Sequence, residues 1–236
     1  MLVDCGFSLK QTLSRLQRVG KNPQEVDAVI LSHEHADHAS GVGAVARALE
    51  IPVWMTQGTF EATHERCGPL SDIQFFSPHE PFEIGDIHVS PFPVPHDARE
   101  PCQFVFSDGA VRFGMLTDVG STTSQIEVML SGCEGLILEC NHDGRLLAAG
   151  SYPAALKARI GGPHGHLDND TAGELLARLD YSRLQTIAAA HLSENNNTPA
   201  LARVALAEAL GCAPSWISVA DQTEGLPWQG LSARWI

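Results

Sequence analysis

LSHEHADH, residues 31 to 38, packs three histidines, one glutamate and one aspartate into six positions directly after an apolar run. Imidazoles and carboxylates are costly to bury without partners, and a divalent metal ion is the commonest partner for that mixture. A purely structural role fits three histidines at this spacing poorly, so the cluster reads as part of a metal site. Glu34, between two histidines, reads as a solvated or supporting residue and not as a ligand.

The remaining ligands are expected where other apolar runs end. VSPFPVP leads into His96, RFGMLT into Asp118 and QTIAAA into His191. Taken singly, Asp118 also reads as a turn residue and His96 as a solvated one. Together, His33, His35, Asp37, His38, His96, Asp118 and His191 exceed the four ligands or so of one tetrahedral zinc, which implies two ions. A natural division puts His33, His35 and His96 on one ion and Asp37, His38 and His191 on the other. Asp118 would then bridge ions roughly 3.5–4 Å apart, and a water held between them would lose a proton near neutral pH and act as nucleophile. Asp37 is thus both a ligand and a catalytic candidate.

Positioning such groups requires strands that end together. DAVILS, IPVWMT, IHVSPFPV, QFVFS, VRFGMLT, GLILEC, QTIAAA and SWISVA read as strands. Between them, SLKQTLSRLQRVG has Leu9, Leu13, Leu16 and Val19 on one helical face, with Ser8 as cap and Gly20 as stop. GVGAVARALE, STTSQIEVMLSG, DNDTAGELLARLD and TPALARVALAEALG have the same rhythm. Alternation of the two types predicts a layered α/β fold. Asp108-Gly109 in SDGAV is a hairpin turn, so mixed sheets with helices outside are expected in preference to a purely parallel sheet. Four strands then deliver ligands at one sheet edge, where α/β proteins commonly place sites.

The chain has 236 residues, 44% of them hydrophobic and 18% charged, which suits one globular domain over residues 1–236. Its net charge of −13 argues against a broad basic surface for nucleic acid, although bound metal can supply local positive charge. Six scattered cysteines without a C-x-x-C pair read as buried thiols of a cytoplasmic protein. Apolar runs are strand-length, so no membrane span is expected. MLVDCG opens in mid-strand, which predicts that a short N-terminal hairpin is missing.

H-x-H-x-D-H with remote His, Asp and His at strand ends resembles the metallo-β-lactamase superfamily. VDCGFS, LSHEHADHASGVG, PHDAREP, LTDVG, LECNHD, GSYPAALKARI, GHLDND and AHLSENNNTP resemble its YycJ/WalJ-like branch. The resemblance implies an αββα sandwich of two mixed sheets with helices on the outer faces and a di-metal site at one edge. It also implies 5′-to-3′ exonuclease action on DNA. The family usually carries a glycine- and serine-rich segment before LVDCG, absent here. True β-lactamases of the common class have cysteine where Asp118 stands; an aspartate suits oxygen-rich chemistry and zinc, with manganese or iron as alternatives.

On this reading the chain is a hydrolase whose hydroxide attacks a phosphodiester in line. Lys157 and Arg159 could offer positive charge, and His164, His166 and Asn169 donors, to the phosphate. His166 is the candidate for assisting the leaving group. Lys157 and Arg159 read equally well as the exposed face of a helix. Asp168, where the family usually has serine, reads as a helix cap that would repel a nearby phosphate. Glu139, Asn141, His142 and Asp143 read as supports behind the ligands, and Asn195 to Asn197 as orienting the loop after His191 or simply turning it. The alternative is a hydrolase of small lactones, thioesters or β-lactams on the same site, because fold does not choose the substrate.

Overall fold

A computed structural model describes residues 1–233; the last three residues of the expected 1–236 domain lie outside the described residues. The chain divides into two compact units, Met1–Ile84 with Ala98–Cys102, and Gly85–Asp97 with the chain from Gln103 onward.

The first unit contains β1 (Leu2–Val3), α1 (Leu9–Arg18), β2 (Val29–Ile30), α2 (Ala36–Ala39), α3 (Val42–Leu49), β3 (Val53–Met55), α4 (Gln57–Cys67), β4 (Ile73–Phe75) and β5 (Phe82–Ile84). Its sheet runs β1-β2-β3-β4, and all three pairings are parallel. The expectation of mixed sheets therefore fails here. Helices α1, α3 and α4 join successive strands, and crossovers of that length return the chain in the same direction. Ala28 to Leu31 are wholly buried, as a central parallel strand covered on both faces requires. Val29, Leu31, Val42, Val45, Val53 and Met55 form the core, with Leu9 and Leu16 of α1 packed against it. Ser8 caps α1 in a reciprocal box with Gln11, and Gly20 stops it at φ +73°.

The second unit contains β6 (Ile87–Pro93), β7 (Cys102–Ser107), β8 (Arg112–Leu116), α5 (Ser124–Leu130), β9 (Gly135–Glu139), α6 (Gly144–Ala149), α7 (Ala154–Ile160), α8 (Asn169–Arg178), β10 (Thr186–Ala190), α9 (Pro199–Leu210) and β11 (Ser218–Val219). Within it the strands run β11-β10-β9-β8-β7-β6. Here the sheet is mixed as expected: β7 and β8 are antiparallel, while β8-β9, β9-β10 and β10-β11 are parallel. The β7–β8 turn is the expected one, with Gly109 at φ +88° and the Asp108 carboxylate accepting from Ala110 N and Val111 N. Leu116, Ile126, Leu138, Leu175, Leu176, Ile187 and Leu206 lie at the centre of the core.

Leu176 is fully buried, whereas Val128 on α5 is 73% exposed. Leu176→Ala should cost about 2–5 kcal/mol, and Val128→Ala no more than about 0.5 kcal/mol; equal losses in urea unfolding would contradict the assigned core.

Candidate metal centre

In the first unit the candidate ligands leave the end of β2 in one short loop capped by α2. His33 and His38 are buried, and the His33 ring lies 4.6 Å from that of His35 and 4.2 Å from that of His38, centroid to centroid. Asp4, at φ +57° after β1, organises them. Its carboxylate accepts from Ser32 N (2.8 Å), Ser32 Oγ (2.8 Å) and His38 Nδ1 (2.8 Å). The Ser32 hydroxyl has one proton, given to Asp4, so at 2.9 Å it accepts from His33 Nδ1. Both imidazoles thus carry their proton on Nδ1 and leave Nε2 as the nitrogen available to a metal ion. Asp37 is exposed, its Oδ2 3.4 Å from His38 Nε2. Gly6 is obligatory beside it, because a Cβ there would lie 1.6 Å from the Asp37 carbonyl oxygen.

In the second unit His96, Asp118, Glu139, His166 and His191 converge. Glu139 is fully buried and saturated with hydrogen bonds. Its Oε1 accepts from His166 Nδ1 (2.9 Å) and His191 Nδ1 (2.8 Å), and its Oε2 from Val119 N (3.0 Å) and Leu167 N (3.1 Å). Burial pushes this carboxyl's pKa up, but the bonds from His166 and His191 and the charge of His191 outweigh it and hold the group below its ordinary value. His96 donates from Nδ1 to the Gly165 carbonyl at 3.1 Å.

The decisive geometry surrounds Asp118. Its Oδ1 lies 3.5 Å from His191 Nε2 and 3.8 Å from His96 Nε2. Both rings hold a proton on Nδ1, so when neutral each presents a lone pair from Nε2 to a carboxylate oxygen. Acceptors converging at such separations are suited to a cation among them, and the oxygen-and-imidazole donor set fits a divalent metal. Asp118, Glu139, His166 and His191 offer ligand atoms all within 4.8 Å of one another. Glu139 spends its oxygens on four donors, so it orients the histidines instead of competing for the ion.

These side chains stand on strained backbone. Asp4, Asp118 and His191 have φ of +57°, +54° and +58° at the ends of β1, β8 and β10. Each left-handed non-glycine residue costs on the order of 1–3 kcal/mol and persists only where its surroundings over-determine it.

The expected substrate residues fare differently. His166 stands beside Glu139, while His164 is exposed and its carbonyl accepts from Asp97 N (3.0 Å). Lys157 Nζ donates back to the Ala148 carbonyl (2.6 Å), and Arg159 Nε to Asp97 Oδ2 (2.6 Å). Asn169 is 3% exposed and exchanges two 2.9 Å amide hydrogen bonds with Asn197. Asp168 caps α8, accepting from Thr171 N and Thr171 Oγ1. Asp143 caps α6, and Asn141 Nδ2 donates to the His191 carbonyl at 2.9 Å. Asp4 was not singled out from sequence; an aspartate closing the first strand before Cys-Gly is the signal that marks it. Burial pushes the thiols of Cys102, Cys133 and Cys140 up, Cys133 to about 11, which leaves them protonated near neutrality.

A family profile described as the β-lactamase superfamily domain matches residues 1–187. The chain belongs to that superfamily. Exodeoxyribonuclease YycJ of Bacillus anthracis is 33% identical over 212 residues, which cover 89% of this chain and 80% of that one. Exodeoxyribonuclease WalJ of Streptococcus pneumoniae is 32% identical over 223 residues, covering 93% and 83%. The metallo-β-lactamase fold protein YhfI of Bacillus subtilis superposes with a TM-score of 0.72 at 19% identity, over 97% of this chain and 86% of that one. Zn2+-bound PqqB of Methylobacterium extorquens gives 0.69 at 16% identity, over 95% and 81%. These two likenesses establish the fold of this superfamily member.

Glu139→Gln would set an amide NH2 against two N–H donors. It should lower metal affinity by about 10–100-fold in chelator competition and stability by about 1–3 kcal/mol; unchanged affinity would remove Glu139 from the site. Asp168→Ala should cost about 1 kcal/mol and Asp168→Ser almost nothing, because serine caps equally well; faster DNA turnover in Asp168→Ser would instead reveal repulsion of substrate.

Proposed function

We propose that this chain is a metal-dependent exonuclease that hydrolyses DNA phosphodiesters from the 5′ end. The convergence of His96 and His191 on the Asp118 carboxylate carries the reading, and the kinship with YycJ and WalJ directs it to DNA. The proposed ligands are His33, His35, Asp37, His38, His96, Asp118 and His191, divided between two ions as the sequence suggests. Zinc is the first expectation, with manganese or iron as alternatives.

When bound, such ions supply Lewis acidity to the phosphoryl oxygens and acidify water near neutral pH. Asp37 is proposed to orient the attacking water. His166, 22% exposed and held through Nδ1 by Glu139, is proposed to act as the doubly protonated imidazolium, giving its Nε2 proton to the departing 3′ oxygen while keeping the Nδ1 proton on its bond to Glu139. The new bond joins water oxygen to phosphorus and the bond to O3′ breaks. An oxygen donor at Asp118 suits this hard, oxygen-rich substrate. Lactones, thioesters and β-lactams are the less favoured substrates, since the DNA-acting relatives share most of the chain.

A cytoplasmic location belongs to the same proposal. It is supported by six cysteines that are all thiols. No helix among the described residues is long and apolar enough to cross a membrane.

End-labelled 5′-phosphorylated single- and double-stranded DNA with added manganese tests the activity, and mononucleotide release is expected. Turnover of a lactone or β-lactam without DNA cleavage would overturn the assignment. His166→Ala should slow release by about 10²–10⁴-fold at unchanged metal content; loss of metal would make His166 a ligand. Asp118→Ala and His96→Ala should each remove metal from at least one site by elemental analysis.

A further inference from the structure

The five residues Ala98–Cys102 pack as part of the first unit, although they begin only two residues after His96. Three anchors hold them. Arg99 N donates to Glu34 Oε1 (2.8 Å), and Cys102 N to the Ser32 carbonyl (3.1 Å). Between these, Glu100 Oε2 accepts from Gly58 N at 2.7 Å, in the first turn of the eleven-residue helix α4. The Glu100 carbonyl accepts from Thr56 Oγ1 (3.3 Å) and Thr59 Oγ1 (3.5 Å), both fully buried. A carboxylate at a helix N-terminus meets unsatisfied N–H groups and the positive end of the dipole. The seat is shaped for it: a Cβ on Gly58 would lie 2.6 Å from Glu100 Cβ and 2.9 Å from its Oε2.

Glu34 completes the arrangement from the ligand loop. It lies between His33 and His35, its carbonyl accepts from Arg66 Nη1 (2.5 Å) on α4, and its carboxylate receives Arg99 N. One stretch of chain is thereby fixed at once to the first turn of α4 and to the loop that carries four candidate ligands.

We infer that Glu100 is a positioning residue for the metal centre, acting with Glu34 to hold Ala98–Cys102 against the His33–His38 loop. The inference rests on the metal-site reading above. It names residues that are not themselves ligands and touch no reacting atom.

Metal affinity, read by chelator competition and by the visible spectrum of the cobalt-substituted protein, tests it. Wild type comes first: no metal binding there would sink the metal-site reading, not the clamp alone. With binding established, Glu100→Ala should weaken affinity by about 10-fold or more and alter the cobalt spectrum. Glu100→Gln, which keeps an acceptor for Gly58 N, should restore most of the loss. Gly58→Ala should reproduce Glu100→Ala by crowding the seat, and the double variant should lose little more, as residues of one contact do. Glu61→Ala removes the side-chain partner of Arg99, together with a surface bond from Gln57, and should leave affinity unchanged. Unchanged affinity in Glu100→Ala, or an equal loss in Glu61→Ala, would overturn the clamp. So would failure of Glu100→Ala, Glu100→Gln and Gly58→Ala alike to fold, which would make the role purely structural.

Discussion

The buried Glu139 carboxylate is the interaction on which the second unit's site depends. A bare carboxylate at zero exposure would be prohibitive, and four hydrogen bonds make it tolerable. Those bonds do more than satisfy it. Two come from the backbone N–H groups of Val119 and Leu167, which follow Asp118 and His166 directly, so one carboxylate sets the position of both loops. The other two fix the tautomers of His166 and His191. Removing Glu139 would leave four donors stranded and two rings without orientation.

Asp4 performs the corresponding service in the first unit, with the same logic and different partners. It ties Ser32 and His38 together and, through the Ser32 hydroxyl, sets the tautomer of His33. Both organisers sit beside residues in left-handed backbone, and Asp4 is itself one. Such positions are sustained because each strained residue is also hydrogen-bonded or packed at close quarters. Gly6 and Gly120 show how close: a Cβ on Gly120 would lie 2.4 Å from Gly165 N. The loop bearing His166 is thus pressed against the turn after Asp118.

Much of this was legible in the sequence because candidate ligands at strand ends leave a visible signature, apolar run followed by imidazole or carboxylate. The runs before His33, His96, Asp118 and His191 all carry it, and the strands appear there. What stayed hidden depended on partners distant in sequence. Glu139 reads as a support from its place after a strand, but its partners His166 and His191 are set by the fold, and nothing near Asn169 announces its exchange with Asn197. Helix α4 escaped detection because its buried face is Thr59, Thr63 and Cys67, which no apolar periodicity reveals. Helix α7 has no buried residue at all, so only the reading of Lys157 and Arg159 as an exposed helical face pointed to it. The first sheet was expected to be mixed because hairpin signals from residues 87–116 were extended to strands that helices connect.

Charge gives the site its character. The chain is acidic overall, and the two cations of α7 are already engaged, Lys157 by a carbonyl and Arg159 by Asp97. Arg159 is 63% exposed, so its ion pair is worth little as stability and can exchange partners at small cost. A broad basic groove of the kind that holds long stretches of duplex is not what these residues make. On the proposed reading, attraction for phosphate falls to the divalent ions, the strongest local positive charges such a donor set can gather. That concentrates recognition on the phosphodiester at the reacting centre and leaves little affinity for distant ones. An enzyme that takes one nucleotide at a time from a strand end gains from that arrangement, since it must release the shortened strand to move along it.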